Sequence, residues 1–232
     1  MFAHLHTHSE YSLLDGLSTI PDLVARAKAL GQDALAITDH GALYGALKFY
    51  EEARANELNP IIGLEAYVAP GSRLERNPSE RTPYHLTLLA QNETGYRNLL
   101  RLSSASHLEG FYYRPRVDRE LLAQHHEGII ALSSCPSGEV LTALQEDRED
   151  AAREALGWYR DLYRDRYYVE LQEHGQDQFS RYTPKLVELA RSLELPMVLT
   201  NDSHYTAEDQ EHAHDVPMQS STSCACSWSS AV

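Results

Sequence analysis

Positive charge is in short supply in this chain. Its 232 residues carry 20 Lys and Arg against 34 Asp and Glu, a net charge of −14. That balance argues against a domain that grips nucleic acid through an overall basic field. A polyanionic ligand would have to be met by local arginines, lysines or bound cations. Cysteine is scarce as well: there are three, two of them in a Ser-rich C-terminal stretch, so no disulfide framework is expected. No apolar run approaches the roughly 18 residues of a membrane span. The N-terminus also lacks the basic-then-apolar layout of a signal peptide, so a cytoplasmic location without a membrane partner is expected. Missing, too, is a glycine-rich phosphate loop after the first apolar segment. His6-Thr7-His8 stands there instead, and a dinucleotide-binding fold loses its main support.

What the chain does have is alternation. Short apolar segments at 34–38, 60–68, 85–90, 128–133, 167–171 and 197–200, together with a first one leading from Phe2 and Ala3 into His8, read as seven strands. Between them lie helical stretches. The clearest follows Thr19, a capping residue, with Pro21 in the first turn, Asp22 favouring the N-terminal dipole and Gly31 as the stop. Leu23, Ala27 and Leu30 mark its expected buried face. Further helices are expected near 44–58, 94–107, 118–125, 138–164 (one or two), 177–193 and 207–214. Residues 69–83, rich in Pro, Gly, Ser and Arg, read as a surface loop. Such a rhythm implies right-handed βαβ units and a mostly parallel sheet, wound open or closed into a barrel. A barrel with its site at the C-terminal strand ends fits better.

The first strand carries the first chemical signal. Alternate residues of a strand share a face, so His6 and His8 can aim two imidazoles at one point. Alone, such a pair is more often incidental than ligating. Its company changes that reading, because candidate ligands stand at or near the other strand ends: Asp15, Asp39 and His40, Glu65, His85, Cys135, and Asp202 with His204. Asp202-x-His204 repeats the spacing of His6-x-His8. Imidazoles, carboxylates and a thiol are the side chains that bind zinc, manganese or iron. The set exceeds what one tetrahedral ion can use, which implies a cluster of two or three. Asp39 is expected to orient a ligand histidine rather than to bind metal itself. His174 is a candidate substrate contact. His107, His125, His126, His212 and His214 read as solvated.

These residues, in the strings Tyr11-Ser-Leu-Leu-Asp15-Gly, Ile37-Thr-Asp-His-Gly-Ala-Leu-Tyr44-Gly, Gly63-Leu64-Glu65, Phe111-Tyr-Tyr-Arg-Pro-Arg-Val117 and Asp202-Ser203-His204, resemble the polymerase and histidinol phosphatase (PHP) superfamily. The version is similar to the N-terminal domain of bacterial DNA polymerase III alpha subunits. The resemblance covers residues 2–218 and implies a distorted (β/α)7 barrel, TIM-like, with three divalent metal ions at its C-terminal face. It implies that His6, His8, Glu65 and Asp202 hold one ion, that Glu65 bridges to a second shared with His85 and Cys135, and that Asp15, His40 and His204 hold the third. Asp39 joins the catalytic set. The implied activity is phosphoester hydrolysis, with a 3′–5′ proofreading exonuclease acting on a DNA 3′ end as the leading form. The partner would be the remainder of the polymerase III holoenzyme. Arg114 and Arg116 are expected to contact the strand backbone, with Phe111, Tyr112 or Tyr113 stacking on bases. The alternatives are a phosphomonoesterase of the histidinol phosphatase kind and a non-catalytic docking platform. The PHP domain is thus expected over 1–218. Residues 219–232 read as a non-family tail left by a frame shift or truncation, where Cys224-x-Cys226 binds nothing.

Overall fold

The computed structural model describes residues 2–78, 82–172, 177–207 and 210. Its strands are the expected apolar runs: β1 (Ala34–Ile37), β2 (Asn59–Val68), β3 (Tyr84–Ala90), β5 (Ile129–Leu132), β6 (Tyr167–Gln172) and β7 (Met197–Thr200), with a two-residue β4 (Arg116–Val117) that was not expected. They form one sheet in the order β1-β2-β3-β5-β6-β7, with β4 on β2. Packed around them are α1 (Ile20–Ala29), α2 (Ala46–Ala55), α3 (Glu93–Leu108), α4 (Arg119–Gln124), α5 (Glu139–Gln145), α6 (Glu149–Tyr163) and α7 (Asp177–Ser192). The stretch 138–164 is therefore two helices. Thr19 caps α1, its Oγ1 accepting from the Asp22 N–H, and Gly31 follows at φ +70°. Leu30, by contrast, is 47% exposed at the helix end rather than part of the buried face.

The expected first strand takes a different form. Residues 4–8 make a single bridge, Thr7 to Ser203, instead of a regular ladder. They nonetheless join the two ends of the sheet. On one side His8 N–H donates to Ser203 O and Ser203 N–H donates to His6 O; on the other, Ala36 N–H donates to His4 O and Thr38 N–H to Thr7 O. This segment closes the curled sheet into a distorted TIM-like barrel. Its apolar start does not bury Phe2, which is 44% exposed.

Strand direction is the second departure. β3 runs antiparallel to both β2 and β5, while β1–β2, β2–β4, β5–β6 and β6–β7 are parallel. Because β3 is reversed, the start of that strand lies where its neighbours finish. His85 thus reaches the same rim as Glu65, with Tyr67 opposite His85 in the register. β1 ends early, and the edge of β2 it leaves is taken first by a His40–Glu65 bridge and then by β4.

The main core lies between the sheet and α3–α7, built on residues such as Leu88, Leu99, Leu122, Leu156 and Tyr167. A second joins β1 to α1 and α2 through Leu23, Leu35, Ile37 and Phe49. A cavity of about 540 Å³ lined by Leu5, Ile61, Leu132, Tyr168 and Val198 among others lies away from the histidine-rich rim. Among the described residues no helix is long and apolar enough to cross a membrane. The expected helix at 207–214 and the tail at 219–232 lie outside the described residues, apart from Ala207 and Gln210.

Candidate metal centre

Nine side chains from six parts of the chain meet at this rim. Glu65 is at the centre and almost wholly buried. Its Oε1 is 3.3 Å from His6 Nε2 and 3.0 Å from His85 Nδ1, and its Oε2 is 2.6 Å from His40 Nδ1 and 3.6 Å from His8 Nε2. Asp202 Oδ1 faces His6 Nε2 at 3.3 Å and His8 Nε2 at 3.2 Å. Asp15 spans His40, at 3.1 Å, and His204, at 3.9 Å. Cys135 Sγ lies 3.5 Å from His85 Nδ1 and 3.7 Å from Glu65 Oε1.

Three groupings place candidate ligand atoms within 4.8 Å of one another: His6, His8 and Asp202; His40, Glu65 and His85; and His8, His40 and His204. Several buried polar atoms here, namely His6 Nε2, His8 Nε2, Asp15 Oδ1, His40 Nδ1, Glu65 Oε2 and Asp202 Oδ1, make no well-aligned hydrogen bond and face the opposing carboxylates and imidazoles of the cluster. Buried polar groups are costly unless satisfied. A set of nitrogen and oxygen atoms converging in this way is what divalent cations satisfy. The donor set fits such ions.

Local backbone geometry aims these groups. Gly41 follows His40 at φ +64°, and a Cβ there would meet Pro115 Cγ at 2.7 Å and Tyr67 Cε2 at 3.1 Å. Only glycine combines that angle with that approach. After β5 and β7 the chain also turns through left-handed residues, Ser134 at φ +70° and Asp202 at φ +51°. These turn Ser134 Oγ onto Glu65 Oε1, at 2.9 Å, and Asp202 onto the two N-terminal histidines. Non-glycine residues held this way tend to gather at functional sites.

A family model described as the PHP domain matches residues 4–174. The chain belongs to the PHP domain family. Among curated proteins, this PHP domain is 51% identical over 218 residues to the DNA polymerase III subunit alpha of Treponema pallidum, an alignment covering 93% of this chain and 19% of that protein. It is 48% identical over 223 residues to the same-named subunit of Deinococcus radiodurans, covering 92% and 17% respectively. The chain thus spans less than a fifth of the length of these relatives. Among solved structures, a Bifidobacterium adolescentis protein proposed to be a metal-dependent phosphoesterase superposes with a TM-score of 0.54 at 15% identity, covering 87% of each chain.

The surroundings of the PHP histidines fix which nitrogen faces the centre. Asp39 makes no direct side-chain hydrogen bond to any histidine of the cluster. It accepts from Ser9 N–H at 2.7 Å, from Ser9 Oγ at 2.8 Å and from Ser12 Oγ at 2.9 Å. Burial pushes its carboxyl upward against the pull of these donors. Since the one Ser12 hydroxyl proton goes to Asp39, Ser12 Oγ accepts from His8 Nδ1–H at 2.9 Å. The Nε2 lone pair of His8 is thereby turned inward. Asp39 therefore orients His8 through Ser12.

Glu170, on β6, does the same for His6, and sequence reasoning passed it over. Its Oε1 accepts from His6 Nδ1–H at 2.7 Å and is held by Gln172 Nε2 at 2.9 Å and by Thr200 Oγ1. The missed signal was a carboxylate inside the apolar strand Tyr167–Gln172, where period-two alternation puts Glu170 on one face with Tyr168 and Gln172. Outer partners of this kind typically govern metal affinity by 10- to 100-fold. Glu170→Gln is accordingly expected to weaken metal retention about 10- to 100-fold, checked by competition with a chromogenic chelator.

Burial opposes charge on His6, His40 and His85, but the facing carboxylates prevail and hold all three imidazoles above their ordinary value. His8 goes the other way: burial, then the neighbouring His204 and His40, push it down to about 3. For Glu65, Asp202 and Asp15 burial raises the carboxyl, and the surrounding histidines overcome it and draw each well down.

The outer residues need two corrections. Arg116 is 1% exposed, not a strand contact. Its guanidinium donates to Gly110 O at 3.0 Å, Arg73 O at 2.9 Å and Glu75 O at 2.7 Å, and lies over the Tyr112 ring. His107 is not simply solvated: its Nε2–H donates to Gly41 O at 3.1 Å beside the site. Arg114 does stand near the rim, 5.7 Å over the Tyr67 ring. His4 is buried against Phe2, apart from the cluster. His174 lies outside the described residues.

Proposed function

We propose that this chain is a metal-dependent phosphoesterase and, within a DNA polymerase III alpha subunit, a 3′–5′ proofreading exonuclease working with the rest of the holoenzyme in the cytoplasm. The observation that carries the reading is the convergence of unsatisfied, buried nitrogen and oxygen atoms around Glu65. His6, His8, Glu65 and Asp202 would hold one ion, Glu65, His85 and Cys135 a second, and Asp15, His40 and His204 a third, with zinc, manganese and iron all compatible. Bound there, the ions supply Lewis acidity, lowering the pKa of the attacking water and offsetting phosphate charge, which answers the net charge of −14.

The chain's own residues set the geometry. Ser12 and Asp39 fix His8, Glu170 fixes His6, and the near-total burial of His6, His8 and Glu65 limits competing solvent. Arg114 supplies a positive charge toward the strand backbone. In the exonuclease reaction the water oxygen bonds to phosphorus as the P–O3′ bond breaks. The water proton ends on the O3′ of the shortened strand, and a nucleoside 5′-monophosphate leaves. Incubation with a 5′-labelled oligonucleotide is expected to give a ladder shortened from the 3′ end, abolished by chelator. Histidinol phosphate turned over in place of the oligonucleotide would replace the exonuclease reading with the phosphatase one. Tight metal binding with no hydrolysis of either would leave a docking platform.

Metal uptake should also be pH-dependent. His6, His40 and His85, held above the ordinary histidine value of about 6.5 by the facing carboxylates, favour their protonated forms in the metal-free chain more than free imidazoles do. A cation must displace those protons, so affinity rises with pH and falls in acid. Calorimetry of metal uptake near pH 7, in buffers of different ionisation enthalpy, is expected to show net proton release; its absence would mean the imidazoles were already neutral.

A further inference from the structure

A groove of about 310 Å³ opens beside the cluster, lined at its inner end by Asp15 and His40 and further out by Tyr44, Phe111, Tyr113 and Arg114. Its outer rings are unusually open to solvent. Tyr44 is 61% exposed, Tyr113 60% and Phe111 51%. Exposed singly, large apolar side chains mean little, but several rings along one groove mark a binding surface. They are also held in place. His107 stacks on Phe111 at 6.5 Å and meets Tyr44 at 6.2 Å, while its Nε2–H is tied to Gly41 O. Tyr113 has φ +61°, a left-handed angle that is costly for a bulky residue and persists only where its surroundings impose it. The surroundings here include Arg116, whose buried guanidinium fastens Gly110 to the 73–75 segment and so anchors the start of the 110–115 loop. Tyr112 belongs to this anchor and lies under Arg116.

From this we infer that Tyr44, Phe111 and Tyr113 form a slot for one unpaired nucleobase of the strand whose terminal phosphodiester lies at the metal centre. The inference rests on the phosphoesterase reading above. A groove at the lower end of ordinary small-molecule pocket sizes suits one nucleoside. Stacking on a ring requires a free base face, which a paired and stacked duplex end withholds. Arg114, at the same mouth, matches the adjoining phosphate. The slot therefore selects frayed or single-stranded 3′ ends and is tolerant of base identity, since every base has a π-face.

The test compares single-stranded oligonucleotides that differ only in a terminal 3′ nucleotide with a base or with an abasic sugar. Wild-type protein loaded with zinc or manganese is expected to prefer the base-bearing end by roughly 10- to 100-fold in kcat/KM, mostly through KM. In Tyr113→Ala that ratio should collapse toward one, and in Tyr113→Phe it should persist. Equal use of both ends by the wild type, or a ratio unmoved by Tyr113→Ala and Tyr44→Ala, would overturn the slot. If neither oligonucleotide is cleaved, the exonuclease reading fails separately. The slot is then judged by fluorescence anisotropy, where single strand should bind more tightly than blunt duplex and Tyr113→Ala should erase the difference. Unchanged anisotropy would assign the rings to a protein-facing surface and overturn the proposal.

Discussion

Glu65→Gln is expected to lower phosphoester hydrolysis by about a thousandfold or more while the fold survives. One carboxylate faces four imidazoles, those of His6, His8, His40 and His85, and accepts from Ser134 as well. Glutamine keeps the volume but removes the negative charge and turns an amide donor toward nitrogen atoms that need an acceptor or a cation. Metal ions contribute several kcal/mol of transition-state stabilisation. A loss of about 4 kcal/mol corresponds to roughly a thousandfold in rate. Activity against a labelled oligonucleotide, read beside metal content per chain, checks this. Activity and metal should fall together. Full activity in the variant would remove Glu65 from the centre.

Arg116→Met is expected to be the most damaging single change away from the cluster, costing about 3 kcal/mol of stability. The side chain is wholly enclosed and serves three backbone carbonyls, those of Gly110, Arg73 and Glu75. Methionine fills much of the space but leaves the Arg73 and Glu75 carbonyls without this donor, at about 1–3 kcal/mol for each one that water cannot reach, while Gly110 O keeps the backbone N–H of residue 116 at 3.4 Å. For a chain of this length about 3 kcal/mol is a fall of roughly 6–12 °C in Tm, measurable by thermal unfolding of metal-stripped protein. Arg114→Met, at the half-buried rim, should shift Tm far less. If the two variants unfold alike, the structural role of Arg116 is wrong.

These two arginines also show where sequence reasoning stopped. They sit two residues apart in one aromatic, proline-containing stretch, and nothing in their spacing says that one is enclosed while the other faces the groove. Enclosure depends on the 73–75 carbonyls, some forty positions earlier in the chain. The barrel was better legible. Apolar runs of strand length, helices between them and punctuation such as Thr19 and Gly31 identified most of the elements, because these depend on local preference and period. The missing glycine-rich loop favoured a barrel over an open sheet, and the PHP resemblance added its distorted, seven-stranded form.

The reversal of β3 left only a weak trace in the sequence. Residues 69–83 read as a loop with no helix; they are long enough for a parallel crossover, but such crossovers usually carry a helix, and that lack is the hint of an antiparallel return. That same reversal explains why His85, at the start of its strand, stands with residues near the ends of theirs. The alternation of His6-x-His8 and Asp202-x-His204 was readable as two pairs. That they meet is tertiary information: the 4–8 segment hydrogen-bonds to Ser203 on one side and to Ala36 and Thr38 on the other. Glu170 and Tyr44 carry no strand-end signal: one stands within β6 and the other in a loop before α2.

The central claim is that the buried cluster around Glu65 is a multinuclear metal site. Elemental analysis of the folded wild-type chain, after incubation with zinc, manganese or iron and removal of excess ion, addresses it most directly. About three tightly held divalent ions per chain are expected for at least one of these metals. A folded chain that retains none of them would contradict the account.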